Sequence, residues 1–269
     1  YSSAASDVYK RQIIGGGLAG LSLARQLMLE TEKRVLILEQ RESVPPVKQK
    51  YGESSVQVAG YYYSKILQLE EYLFLHQLMK YNLRFYWKTE NRSNQRFEDF
   101  SQAYIRTFSN IPCYQLDRNT FEAELLRRNL ECNRFSIQLG IRNLDVRLSD
   151  DGRPHEVSYS VKDESVSVIS PWVVDTSGRG RHLVREMQLA EETPIQHGAA
   201  FMWVDGLVDI ETMTDLSPRE IRLNKARRQT GHSPSWLATN HFMGEGFWFW
   251  VIPLQGKTSL GVVFDTGAH

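Results

Sequence analysis

Six residues near the start of the chain, Gly15–Gly16–Gly17–Leu18–Ala19–Gly20, constrain the fold more than any other feature. They fit the pattern G-x-G-x-x-G, in which each glycine has its own task. Gly15 makes a tight turn, Gly17 lets a pyrophosphate approach the backbone, and Gly20 allows a helix to pack closely on a strand. The context agrees. Ile13–Ile14 precedes the loop, Leu18, Leu21, Ala24 and Met28 recur at helical spacing, and Val35–Leu38 is an apolar run suited to a buried parallel strand. A helix starting at Leu18 and Ala19 sets its positive end against the pyrophosphate. Glu39, about 20 residues on, is placed to accept both ribose hydroxyls. A glycine-rich turn without ligand is the simpler alternative, and the motif alone does not separate NAD from FAD.

The segment before the loop fits less well. A central parallel strand is expected to be nearly all apolar, yet Lys10, Arg11 and Gln12 precede Ile13. Residues 1–12 therefore read as a non-native junction, the alternative being a genuine polar extension.

Composition narrows the class. In 269 residues, 32 lysines and arginines balance 32 aspartates and glutamates, so the basic surplus of a nucleic-acid binder is missing. The most basic stretch, around Arg222, Lys225, Arg227 and Arg228, reads as the solvated face of a helix. Cys113 and Cys132 form neither a metal spacing nor a disulfide framework, which points to a reducing cytoplasm and no metal centre. No apolar run is long enough for a membrane span, and no signal peptide is visible.

Further along, a helix is expected after Ser54–Ser55, capped by one of them, and another over residues 65–79. From Leu83 to Tyr114 the pattern turns aromatic and strand-like. Asp117 or Asn119 starts a helix carrying Phe121, Leu125 and Leu126. Residues 134–174 read as a meander with turns at Asp150–Gly152 and Lys162–Glu164. In residues 195–269, which are strand-rich, Ser217, Pro218 and Glu220 form a capping box that starts one helix. Along Phe247–Leu254, Trp248, Trp250 and Ile252 share one face, with Phe247, Phe249 and Val251 on the other. A strand so bulky on both sides is expected to be buried.

Three groups of residues carry a family resemblance. Glu39–Gln40–Arg41, Tyr114–Gln115–Leu116–Asp117–Arg118 and Val173–Val174–Asp175–Thr176–Ser177–Gly178 fall in the order seen in aromatic-hydroxylase-type flavoproteins. Trp248–Phe249–Trp250–Val251–Ile252–Pro253 matches W-x-W-x-I-P, the signature of tryptophan-type flavin-dependent halogenases. Thr239–Gly244, Ser259–Val263, and Gly52–Glu53–Ser54–Ser55 followed by Gln77–Lys80 look like uncharacterised bacterial relatives of that superfamily. The resemblance covers residues 13–269.

It implies an α/β fold, with a Rossmann-type FAD-binding domain at 13–82 and 115–190 and an interleaved β-rich substrate domain at 83–114 and 191–269. It places Gly15, Gly17, Leu18, Ala19, Gly20, Glu39, Arg41, Arg118, Thr176 and Gly178 on the FAD. Trp248, Trp250 and Pro253 wall a cavity beside the flavin. Lys80 stands where a halogenase lysine holds or carries hypohalous acid, although a lone lysine is more usually a solvated side chain. The implied activity is a halogenase or monooxygenase working through a flavin hydroperoxide on an electron-rich small molecule. A halide would be a partner in the first case. No second dinucleotide fingerprint is visible, which implies a separate flavin reductase.

The departures also matter. Gln57 and Tyr61–Tyr62–Tyr63 stand where relatives carry acidic and histidine residues. The family's second FAD motif and its halide segment have no counterpart, so a chain truncated at His269 is expected, inactive by itself. His241 and His197 read as structural. An FAD-dependent reductase or dehydrogenase, and a non-catalytic nucleotide-binding module, are the alternatives.

Overall fold

The computed structural model describes residues 11–45, 50–105, 109–217, 219–220 and 234–268. The strands of its first half are β1 (Arg11–Ile14), β2 (Val35–Glu39), β3 (Leu78–Met79), β4 (Leu83–Trp87), β5 (Ser101–Tyr104), β6 (Tyr114–Gln115) and β7 (Phe135–Leu139). There follow β8 (Arg142–Arg147), β9 (His155–Val161), β10 (Glu164–Ser170), β11 (Val173–Asp175), β12 (His197–Asp205), β13 (Thr239–Gly244), β14 (Phe247–Leu254) and β15 (Lys257–Asp265). The α-helices are α1 (Leu18–Glu30), α2 (Gln57–Tyr61), α3 (Glu70–His76), α4 (Arg118–Leu130) and α5 (His182–Glu186). They group into two compact units, one of residues 1–48 and 118–192, the other of residues 49–117 and 193–269.

The first unit is a Rossmann-type α/β layer. Its parallel sheet has the order β11-β1-β2-β7. Val35–Leu38 is buried throughout, each such side chain contributing about 1.5–3 kcal/mol, which suits a strand paired on both edges. α4 lies against α1, where the Asn129 side-chain amide donates to the Leu21 carbonyl (3.0 Å). A three-stranded antiparallel sheet, β10-β9-β8, shares a core with the parallel one through Ile14, Leu36, Leu38, Val146, Val157 and Tyr159.

Two expectations change here. Arg11 and Gln12 belong to β1, in register with Val35 and Leu36, so ordered structure begins before residue 13. Both edges of β1 are satisfied by backbone groups, a pairing indifferent to side-chain type. The segment 134–174 is a meander only over β8–β10, because β7 and β11 at its ends join the parallel sheet instead.

The second unit is built on a six-stranded sheet of order β12-β15-β14-β13-β4-β5, antiparallel except for the parallel pair β4–β13. Tyr86, Phe97, Ile210 and Val251 form a core cluster on it, and Trp250, Ile252 and Leu254 form another. The alternation expected along Phe247–Leu254 is thus present, but Phe247 at its start is 38% exposed and burial is complete only from Trp250 onward.

Residues 50–82 group with this second unit. The Ser55 N–H donates to the Tyr114 carbonyl, that of Lys80 to Cys113, and that of Tyr81 to Leu237. Neither Ser54 nor Ser55 caps a helix: Val56 precedes α2, the Ser55 hydroxyl oxygen accepts the Tyr114 N–H, and α2 runs into a π-helical turn over Tyr62–Ile66. The helix expected over 65–79 is only α3, since Leu78–Met79 pairs with Tyr114–Gln115 as a strand. Ser217 and Glu220 do exchange the two hydrogen bonds of a capping box. Pro218 and the basic residues Arg222, Lys225, Arg227 and Arg228 lie outside the described residues.

Candidate cofactor loop and lysine cleft

In the first unit the glycine loop joins β1 to α1, with Gly17 as the N-cap. Gly15 has φ +105°, and a Cβ there would stand 2.5 Å from the Thr176 carbonyl oxygen. A Cβ at Gly20 would overlap the Gly15 carbonyl and stand 2.8 Å from Thr176 Oγ1. Gly17 differs: among the described residues nothing lies within 4 Å of its Cβ position. Two glycines therefore serve internal packing, while the third leaves open space at the head of α1, where the first N–H groups, including those of Leu18 and Ala19, lack helical partners. Thr176 secures the loop by donating its hydroxyl to the carbonyls of Ile14 and Gly15 (2.8 and 2.9 Å).

Glu39, 2% exposed, closes the far side of the loop. Its Oε2 accepts the Gly16 N–H (2.7 Å) and Arg41 Nη2 (2.8 Å), and its Oε1 accepts the Arg41 N–H (2.8 Å) and Nε (2.9 Å). Burial pushes this carboxyl up, but the hydrogen bonds from Arg41 and Gly16 outweigh it and hold it below the ordinary glutamate value. Arg118 donates to Oε1 of the fully buried Glu122 (2.5 Å), one turn along α4. The Asp175 carboxylate accepts the N–H groups of Ser177 and Leu183 (2.8 Å each), shaping the turn through Gly178.

The second unit holds the remaining candidates. Lys80 lines a cleft of about 290 Å³ together with Gln57, Met79, Asn82, Ile111 and Cys113. Its Nζ donates to Ser54 Oγ (2.8 Å) and the Ser55 carbonyl (2.9 Å). Burial pushes the ammonium below the ordinary lysine value, against a smaller opposing effect of Cys113. His241 is also lowered, first by burial and then by the charge of Lys80, and stacks on Phe85 at 5.3 Å. His197 meets Trp248 edge-on at 5.6 Å. Trp250 lies across Gly261, donates Nε1 to Ser259 Oγ (3.1 Å), and packs with Ile252 and Leu254. Pro253 is buried in register with Thr258.

Sequence reasoning missed a second polar cluster in this unit. Trp203 Nε1 donates to Oε1 of the buried Glu53 (2.7 Å), Lys257 Nζ lies 3.6 Å from the Trp203 ring centroid, and the same Nζ pairs with Asp117 (2.6 Å). Glu53, within Gly52–Glu53–Ser54, and Asp117, within Tyr114–Arg118, carried a local signal, but nothing tied either to Trp203 or Lys257. Among the described residues no three His, Cys, Asp or Glu side chains form a metal site, and no helix is long and apolar enough to cross a membrane.

Residues 13–45 match the NAD(P)-binding Rossmann-like domain family. Over 94% of its length the chain is 28% identical to the flavin-dependent halogenase chlA of Dictyostelium discoideum, covering 44% of that protein. Among solved structures, halogenase PltM in complex with phloroglucinol and FAD superposes with a TM-score of 0.73 at 20% identity, over 97% of this chain and 52% of that one. The chain has the fold of the flavin-dependent halogenases. Its resemblance to that superfamily is thus present in both sequence and structure, over about half the length of those relatives. A flavoprotein/dehydrogenase from Cytophaga hutchinsonii has the same fold, with a TM-score of 0.70, 17% identity, and 97% of this chain matched to 57% of that one.

Proposed function

We propose that the protein is an FAD-dependent oxidoreductase that halogenates or hydroxylates an electron-rich small molecule. The observation that carries this reading is the open space over Gly17 at the head of α1, beside the Glu39 carboxylate. A diphosphate fits there against unpaired N–H groups, and a ribose belongs at the acid. The likeness to a halogenase solved with FAD favours FAD over a nicotinamide cofactor.

FAD, when bound, supplies the activation of molecular oxygen. The chain supplies binding and orientation. The Gly15–Gly20 loop with Leu18 and Ala19 holds the pyrophosphate, while Glu39, Arg41, Arg118, Thr176 and Gly178 surround the adenosine half. Lys80 holds a proton at the cleft, and Trp248, Trp250 and Pro253 restrict access. A small aromatic substrate, a halide and a separate flavin reductase are the partners of this reading, in the cytoplasm. The fold shared with a flavoprotein/dehydrogenase supports a second reading, a reductase or dehydrogenase with a hydride path in place of halide chemistry.

The test is the whole protein supplied with reduced FAD, oxygen, chloride or bromide, and electron-rich aromatics, with products followed by mass spectrometry and flavin reoxidation by absorbance. Lys80→Ala is expected to reoxidise flavin normally and to lose halogenated product by at least about a hundredfold. Normal halogenation by the variant removes the role of Lys80. Hydroxylation without halogenation by both forms makes the protein a monooxygenase. Hydride transfer without either product establishes the dehydrogenase reading.

A further inference from the structure

The hydrogen bonds around Lys80 do not stop at Ser54. The Ser54 hydroxyl meets Thr239 Oγ1 at 2.7 Å, and either oxygen can be the donor. Thr239 Oγ1 in turn faces both ends of the Gln115 carboxamide, 2.8 Å from Nε2 and 3.1 Å from Oε1. Thr239 and Gln115 are 1% and 0% exposed, so the inner end of this chain is shielded from solvent, while Ser54 at the cleft is half-buried. A backbone bridge between Ser54 and Gln115 fixes their spacing.

Each oxygen in such a chain gives one proton and accepts others, so the chain has two self-consistent directions. In one, the Lys80 ammonium donates to Ser54, Ser54 to Thr239, and Thr239 to Gln115 Oε1. In the other, Gln115 Nε2 donates to Thr239, Thr239 to Ser54, and Ser54 to the lone pair of a neutral Lys80 amine. The carboxamide end makes this possible, because it offers both a donor and an acceptor to the Thr239 hydroxyl.

We propose that Ser54, Thr239 and Gln115 are positioning residues forming a hydrogen-bond chain of reversible direction, which lets Lys80 release or take up a proton at the cleft with every buried partner satisfied in both states. No proton travels along the chain. Lys80–NH3+ becomes Lys80–NH2 by giving its proton to water or substrate in the cleft, and the hydroxyls rotate. The Ser55 carbonyl accepts an N–H in either state. Among the described residues, the titratable groups that interact with Lys80 are the Cys113 thiol, which burial pushes up, and His241. The use of this proton in catalysis rests on the function proposed above, but the chain itself does not.

The test reads the titration of Lys80 directly, by competitive acetylation of the whole protein across pH with peptide mass spectrometry. Thr239→Val cuts the chain. The half-buried Ser54 hydroxyl then loses its protein acceptor and turns its proton toward the Lys80 amine, so the Lys80 midpoint is expected to fall by up to about one unit, the scale of one hydrogen bond. Gln115→Glu ends the chain in a pure acceptor and is expected to raise the midpoint. Thr239→Ser should restore the wild-type value. Loosened packing would hydrate Lys80 and raise its midpoint in both variants, so a rise in Thr239→Val, or no change in either, overturns the proposal. If Thr239→Val does not fold, Gln115→Met takes its place with the same expected sign. Because labelling needs no turnover, shifted midpoints in a protein that makes no halogenated product would sink the activity and leave the chain standing.

Discussion

Arg41 lies across Glu39 with two guanidinium bonds, and these, with the N–H groups of Arg41 and Gly16, fill all four acceptor positions of a buried carboxylate. A ribose can reach this acid only by displacing the guanidinium, whose side chain is 37% exposed and has solvent to move into. Removing Arg41 strips the cofactor-free protein of that pairing. Arg41→Ala is expected to lose about 1–3 kcal/mol without FAD and to recover most of it when ribose hydroxyls take the vacant positions. Thermal melts with and without saturating FAD measure this. An FAD-induced shift no larger in the variant than in the wild type would place the ribose elsewhere.

The loop glycines separate folding from binding. Gly20→Ala drives a methyl into the Gly15 carbonyl and should destabilise the protein with or without ligand. A Cβ at Gly17 meets nothing within 4 Å among the described residues, so Gly17→Val should melt close to wild type yet bind FAD far more weakly, its side chain filling the approach of the pyrophosphate. Melts and flavin titrations of both variants suffice. Wild-type FAD affinity in Gly17→Val would remove the main support for the cofactor site.

The two tryptophans of the signature should behave differently. Trp250 is 8% exposed, rests on Gly261 and holds Ser259, so Trp250→Phe opens a gap and frees a buried hydroxyl. A loss of about 1–3 kcal/mol is expected. Trp248 is only partly buried, beside His197, and its replacement by Phe should cost less stability while changing the product distribution. Product analysis beside thermal melts tests both, and an unchanged profile for Trp248→Phe would make it ordinary packing.

Tyr86 reports on the core through alkali. The ring is fully buried and its phenol is pushed up to about 12 by desolvation. Between roughly pH 10 and 12 the unfolded chain has lost this proton while the folded one keeps it, so stability falls as pH rises, by about 3 kcal/mol over the whole window. Tyr86→Phe loses the bond to Asn240 Oδ1 and starts less stable, but its stability should decline less steeply above pH 10. Urea unfolding at pH 8, 10 and 11 provides the comparison. Parallel slopes would assign the alkaline loss to other groups.

Much of the first unit was legible in the sequence because its signals are local. The glycine spacing, the helical period through Met28 and the run ending at Glu39 each lie within one strand–helix–strand segment. Gln12 escaped because composition was asked to do the work of pairing: the strand forms around a fully buried amide that has no side-chain partner among the described residues. Leu78–Met79 looked like the end of a helix because its partner, Tyr114–Gln115, lies far along the chain. The surroundings of Lys80 were out of reach for the same reason. Ser54 meets Thr239 across 185 residues, and no periodicity records such an encounter.

The parallel pairing of β4 with β13 has a consequence for the birth of the protein. Tyr86 waits for Asn240, 154 residues later, which on a ribosome means roughly 8–30 s. Throughout that interval the edge of β4 is an open template in nascent chain. The Rossmann unit, complete by residue 192, is available earlier and can fold around the unfinished segment as a looped-out insertion. Chaperone dependence and aggregation during expression should therefore track β4 and β5, and a charged substitution at the exposed Trp87 should raise soluble yield without touching either site.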